Sequence, residues 1–159
     1  MVRRGNMGRE ESPATQFAGF LRKHSPAVPA DARAALSRLR KLIPGAVEMV
    51  YDNYNALVIG FGPTERASEG VVSLAIFPRW VTLCFIQNGP EIPDPDGLLK
   101  GTGNVVRHVR LQSAKDLDKP EIRALVGHAL ALADVRIDSA GRRRMVIKSI
   151  SAKQRPRRS

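Results

Sequence analysis

The sequence holds one cysteine, one tryptophan, two tyrosines and three histidines among 159 residues. A single cysteine excludes an internal disulfide framework, and Cys84 lies within the apolar run 80–86, where it reads as a buried thiol in a reducing, cytoplasmic setting. No apolar run approaches the ~20 residues needed to cross a membrane, so no membrane partner is expected. His24, His108 and His128 have no carboxylate or thiol at ligand spacing, which leaves no metal set. There is no Gly-x-Ser-x-Gly elbow, and a thiol inside a strand is a poor nucleophile. Gly60-Phe61-Gly62-Pro63 hints at a dinucleotide loop. Glu65 replaces its third glycine, however, and Pro63 has no amide to offer a phosphate, so it reads as an ordinary turn. The residues specify no catalytic pair and no cofactor, and the protein reads as a non-enzyme.

What the chain does have is positive charge, unevenly placed. Of a formal +11, residues 137–159 hold eight Lys/Arg against Asp138 alone, and residues 1–11 hold three Arg against Glu10 and Glu11. Residues 12–136 keep fifteen basic and twelve acidic side chains, which is close to balance. The chain therefore divides into an unstructured start (1–11), a folded domain (12–136) and a basic tail (137–159). The tail residues Arg142, Arg143, Arg144, Lys148, Lys153, Arg155, Arg157 and Arg158 suit non-specific association with nucleic acid, which falls steeply with salt.

Within the domain, Ser12-Pro13 caps a helix that ends near Lys23 with His24, a cation suited to the helix dipole, at its end. A turn over 25–29 precedes a second helix over 30–43, whose stripe is Ala32, Ala35, Leu36, Leu39, Leu42 and Ile43. Pro44-Gly45 stops it. Strands follow at 49–51, 56–61, 71–77, 80–87 and 105–111, with Pro78-Arg79 as the turn of a hairpin. No helix separates them, so an antiparallel meander is expected. A proline-interrupted loop spans 89–103, and a last helix begins at Pro120 with the stripe Ile122, Leu125, Val126, Ala129, Leu130 and Ala133. Residues 145–150 either add an edge strand or stay in the tail, and 152–159 read as structureless. The fold class is α+β, a two-layer sandwich with an antiparallel sheet and helices packed on one face.

Tyr51, Asp52, Tyr54 and Asn55 interrupt an otherwise apolar strand pair. They form either a turn or bulge, or a recognition patch joined by Arg79 and Trp80. His108 and Arg110 share a strand face, with Arg107 beside them and Lys100 just before the strand. The predicted ligand surface is thus the open sheet face: Tyr51, Asp52, Tyr54, Arg79, Trp80, Lys100, Arg107, His108 and Arg110. Aromatics mixed with cations suit an anionic metabolite or protein partner. The loop 97–103 is either a plain connection or an anion nest around Lys100. Glu91, Asp94 and Asp96 read as solvated loop charges, because the interleaved prolines restrict a wrap around a cation.

Ile43-Pro44-Gly45, Glu48 and Tyr51, the hairpin, and Lys100-Gly101 before a Val-Arg strand follow one another in an order that resembles the YdhG-like family of domains of unknown function, over residues 14–134. The strings YDNYNALVIGFGPTER (51–66), FPRWVTL (77–83) and GLLKGTGNVVRHVRL (97–111) carry the resemblance, with VIKSISAKQRPRR (146–158) as the ending. It implies a frataxin-like sandwich and, for some members, an intracellular iron chaperone, so iron is the one cofactor it suggests. Frataxin-like proteins hold iron on an acidic helical ridge. Here the two N-terminal helices contain only Asp31 among basic residues, and no iron ligands carry over. Three readings follow: a non-enzymatic module for an anionic ligand or protein, an iron chaperone, or a nucleic-acid-associated protein acting through its tail. Exposed strand edges allow a monomer or a dimer.

Overall fold

The computed structural model describes residues 11–158; the start expected to be unstructured, 1–11, lies outside them except for Glu11. Helix α1 (Pro13–Arg22) begins where Ser12 Oγ accepts the Thr15 N–H at 3.1 Å, with Pro13 at its first position. It buries Phe17 and Leu21. Helix α2 (Ala27–Leu42) starts about a turn earlier than its apolar stripe indicates. Pro29 stands in the first turn, where its missing N–H costs nothing, so the predicted turn over 25–29 is largely helical.

Strands β1 (Val47–Asp52), β2 (Leu57–Gly62), β3 (Val72–Ile76), β4 (Val81–Phe85) and β5 (Arg107–Leu111) form the expected antiparallel meander. Between β3 and β4, the Phe77 N–H donates to the Trp80 carbonyl at 2.9 Å and leaves Pro78-Arg79 as the turn. Helix α3 (Pro120–Leu132) follows.

The sheet does not end there. Residues Arg144–Ile150 form β6, which pairs in parallel with β1 and completes a mixed sheet of order β5-β4-β3-β2-β1-β6. A purely antiparallel sheet was expected. The difference arises because the chain returns to β1 through α3, and a long crossover containing a helix is what a parallel pairing requires. Its register shifts between Val50 and Tyr51. The segment 137–158 is therefore no appended tail: residues 144–150 are a strand, and those after it are laid along the β1–β2 turn.

Register sorts the side chains into two faces. Val50, Ile59, Leu74, Leu83 and Val109 lie in one row across the sheet and belong to a single core with Leu21, Leu36, Leu39, Ile122, Leu125 and Val126. The three α-helices of the described residues cover that face. Each fully buried Leu, Ile or Phe there contributes roughly 1.5–3 kcal/mol. The other face carries mostly small side chains, among them Gly60, Ser73, Ala75, Thr82 and Cys84, in register with Tyr51, Val58, His108 and Arg110.

Gly45 ties the two ends of this arrangement together. It has φ +80°, and a Cβ there would lie 2.1 Å from the Asp138 carbonyl oxygen, on the approach to β6. Both the left-handed backbone and the clash oppose a side chain. Gly45→Ala should lower unfolding stability by about 2 kcal/mol or more in urea melts and speed amide exchange in β6 before the meander. A loss confined to a few tenths of a kcal/mol contradicts this packing.

Candidate anion-binding site

Alternation along β1 puts Glu48, Val50 and Asp52 on the helix-covered face, one carboxylate at each end of the strand. Both acids are fully buried. At one end, Arg40 donates from Nε and Nη2 to the two Glu48 oxygens at 2.8 Å each, and Arg143 Nη1 lies 3.6 Å from Oε2. At the other end, Lys23 Nζ reaches Asp52 Oδ2 at 2.6 Å and Arg157 Nη2 reaches Oδ1 at 3.0 Å. Each buried acid thus receives one cation from a helix or its C-cap and one from the C-terminal segment. Burial alone would raise the Asp52 carboxyl; hydrogen bonds from Lys23, Gln154 and Arg157 outweigh it and hold the group below its ordinary value.

This overturns the predicted place of Asp52 and the predicted character of the tail. Asp52 points into the covered layer, away from any ligand surface. Arg157 is buried and also donates to the Tyr54 and Asn53 carbonyls. The Ser151 N–H donates to the Asp52 carbonyl and the Arg155 N–H to that of Tyr54, at 2.9 Å each. Residues 152–158, expected to be structureless, are laid along the β1–β2 turn. His24 is likewise no exposed helix-end cation. It is buried, neither ring nitrogen has a partner in hydrogen-bond geometry, and desolvation followed by the nearby Arg157 charge lowers its pKa against the opposing pull of the Phe20, Ile76 and Leu21 backbone.

The consequence is a site at the hairpin end of the sheet. Trp80 packs against Phe77 with ring centroids 5.2 Å apart, and the Arg110 guanidinium lies 4.6 Å over its ring. Two cavities flank this stack. One, of about 470 Å³, is lined by Arg79, Trp80 and Arg110 together with Val28 and Asp31 of α2. The other, of about 600 Å³, is lined by Asn55, Arg79, Trp80, Arg155 and Arg158. Phe77, Arg79 and Trp80 are common to both. Arg155 stands 5.7 Å over the exposed Tyr54 ring. Among the described residues, no carboxylate lies within ion-pair distance of Arg79, Arg110, Arg155 or Arg158. Asp31, the one acid on the wall, accepts the Ala114 N–H at 3.0 Å.

The remaining predicted residues fall elsewhere. Tyr51 is half-buried on the open face, its hydroxyl 3.8 Å from Met49 Sδ, and burial raises its pKa. Lys100 bridges to His108 through paired backbone hydrogen bonds beyond the edge of β5. Arg107 sits at the far end of β5 in register with Phe85, on the covered side, and donates to the Gly103 and Val106 carbonyls. In the loop around Lys100, Asp94 accepts the Leu98 and Leu99 amides at 2.8 Å and the Lys100 N–H donates to the His108 carbonyl, so these three amides do not face an anion. The predicted surface is therefore split: Tyr54, Arg79, Trp80 and Arg110 gather at the hairpin, and Lys100, Arg107 and His108 do not join them. Of the other tail cations, Arg144 pairs with Glu65, Lys148 donates to the Glu65 carbonyl, and Arg142 and Lys153 are exposed. Burial raises the Cys84 thiol, so it is protonated at neutral pH.

Sequence reasoning missed Lys23, Arg40, Phe77 and Gln154. For the first two a signal existed: Glu48 and Asp52 share the strand face of apolar Val50, and inward acids need inward-reaching cations. Among the described residues, no three His, Cys, Asp or Glu side chains are gathered as a metal would require, and no helix is long and apolar enough to cross a membrane. The chain matches no protein-family model, curated protein or solved structure.

A histidine with a lowered folded pKa binds fewer protons folded than unfolded. His24 therefore costs stability as pH falls through its unfolded value near 6.5, at up to about 1.4 kcal/mol per pH unit. The Asp52 contribution is present above about pH 4 and is lost only below it. Urea midpoints should drop between pH 7 and pH 5, and His24→Leu should flatten that limb while leaving the steeper loss below pH 4. An unchanged limb in His24→Leu contradicts the buried neutral imidazole.

Proposed function

We propose that this protein is a non-enzymatic binding module that takes an anionic ligand at the hairpin end of its sheet. One observation carries this reading: two cavities share the Phe77–Arg79–Trp80 wall and are ringed by four arginines that have no carboxylate partner among the described residues. Guanidinium groups that are not neutralised within the protein attract and orient anionic groups through paired N–H donors. Cavities of ~300–1,000 Å³ with an apolar floor and a few fixed polar groups are the usual form of a ligand site. Compared with the surface expected from the sequence, the site keeps Tyr54, Arg79, Trp80 and Arg110, drops Tyr51, Asp52, Lys100, Arg107 and His108, and gains Arg155 and Arg158.

The motif strings 51–66, 77–83 and 97–111 support placing the chain with YdhG-like domains of frataxin-like architecture. The iron function attached to some of them would need a ligand set, and among the described residues no three His, Cys, Asp or Glu side chains are gathered. Titrating inorganic pyrophosphate calorimetrically at low salt should give saturable binding. A charge-assisted hydrogen bond is worth about 1.5–3 kcal/mol, so Arg79→Ala and Arg110→Ala should each weaken it about tenfold or more. Both side chains are exposed, and melting temperatures should stay within about 2 °C. Heat that is absent, or undiminished in both variants, removes this reading.

A further inference from the structure

We infer that the anion bound at the hairpin end is single-stranded nucleic acid. Resting on the anion-binding reading above, this names the class of ligand. Three features point to it. First, the two cavities share the Phe77–Arg79–Trp80 wall, so an occupant that uses both passes over these residues as a chain does. Second, the four arginines with no carboxylate partner among the described residues come from three separate segments, the hairpin, β5 and residues 155–158, where Arg158 also donates to the Arg22 carbonyl at 3.2 Å. Repeated negative charge along a polymer matches that spread better than one compact anion. Third, guanidinium and aromatic planes are stacked there, with Phe77 and Arg110 packed on Trp80 and Arg155 over the exposed Tyr54, and a base extends such stacks at their outer faces. Unpaired bases stack on such planes, and each stacked base is worth about 1–3 kcal/mol. An acidic or phosphorylated peptide supplies the charge but not the planar groups. A duplex supplies the phosphates but keeps its base faces within its own stack.

The site is also distinct from a loose basic tail. Arg143, Arg144 and Arg157 are held by Glu48, Glu65 and Asp52, and only part of the C-terminal charge is left to face a ligand. The Arg157–Asp52 pair places Arg155 and Arg158 against the hairpin, so C-terminal positioning rather than total charge sets affinity. Asp52→Asn separates the two ideas: it raises the net charge by one, which strengthens diffuse attraction, yet it loosens the wall that Arg155 and Arg158 build.

The test is fluorescence anisotropy of full-length protein with labelled dT12 and rU12, a duplex of equal length, and a phosphoserine peptide. Both single strands should bind more tightly than the duplex, with a log–log salt slope of about −3, as about four phosphate contacts on a single strand require. Arg79→Ala and Arg155→Ala should each lower affinity about tenfold and reduce the slope by about 0.7. Trp80→Ala should lower affinity at least fivefold with the slope unchanged, the signature of lost stacking. Trp80 is the sole tryptophan, so its emission should change on binding in wild type. Asp52→Asn should bind more weakly despite its added charge; should it fail to fold, Trp80→Ala and Arg155→Ala decide the matter alone. If only the peptide or pyrophosphate binds, in an Arg79-dependent way, the ligand class is wrong and the anion site stands. If no anion binds, both fall. If oligonucleotides bind equally well to wild type, Trp80→Ala and Arg155→Ala, the attraction is diffuse and the inference is overturned.

Discussion

Two carboxylates on the inward face of one strand organise this protein. Glu48 and Asp52 flank Val50 on the helix-covered side of β1 and have no exposed side-chain surface. A buried carboxylate costs several kcal/mol unless cations and hydrogen bonds surround it. Here each acid is met from the helical layer by Arg40 or Lys23, and from the C-terminal segment by Arg143 or Arg157. Removing one partner of such a pair typically costs about 3–5 kcal/mol, because the other charge is then buried alone. The acids therefore act less as sources of net stability than as addresses. They specify where β6 begins and where the residues after it must lie.

That specification builds the site. Between the Arg143 and Arg157 anchors, β6 extends the sheet beside β1, and the residues beyond follow the β1–β2 turn. This brings Arg155 over Tyr54 and Arg158 to the second cavity, beside a hairpin that carries Arg79 and Trp80. Arg110 closes the other side from β5. Positive charge that looks uniformly available in the chain is in fact divided. Part of it neutralises buried or surface acids, and the remainder is concentrated at one end of the sheet next to aromatic rings. The same contacts bear on His24: its buried imidazole shares the interior with Arg157, and desolvation together with that charge lowers its pKa.

Much of the fold was legible because its signals are local. The Ser12-Pro13 cap, the α2 and α3 stripes, the period-2 strands and the Pro78-Arg79 turn each depend on residues close in sequence, and each appears where its pattern indicates. The start of α2 was misplaced only because Pro29 resembles a breaker when it stands in a first turn. β6 was less legible, since a parallel pairing across a helical crossover leaves no mark in neighbouring residues, and its Arg-rich approach imitates a disordered tail. Asp52 was misread although the information was present: counting two back from it reaches Val50, which faces the core. In the site, Arg79, Trp80 and Arg110 were readable as cations and aromatics on or beside strands. Arg155 and Arg158 were readable only as tail cations suited to nucleic acid; their place beside the hairpin was not, because it depends on a buried ion pair about a hundred residues apart in sequence.

The central claim is that the C-terminal segment is a folded wall held by buried acids, and amide hydrogen exchange on the full-length protein tests it most directly. The N–H groups of Ser151 and Arg155, hydrogen-bonded to the Asp52 and Tyr54 carbonyls, should exchange far more slowly than unstructured peptide, in step with β6. Exchange at unstructured rates throughout 144–158, with the meander still protected, would show a loose basic tail and contradict the proposed site.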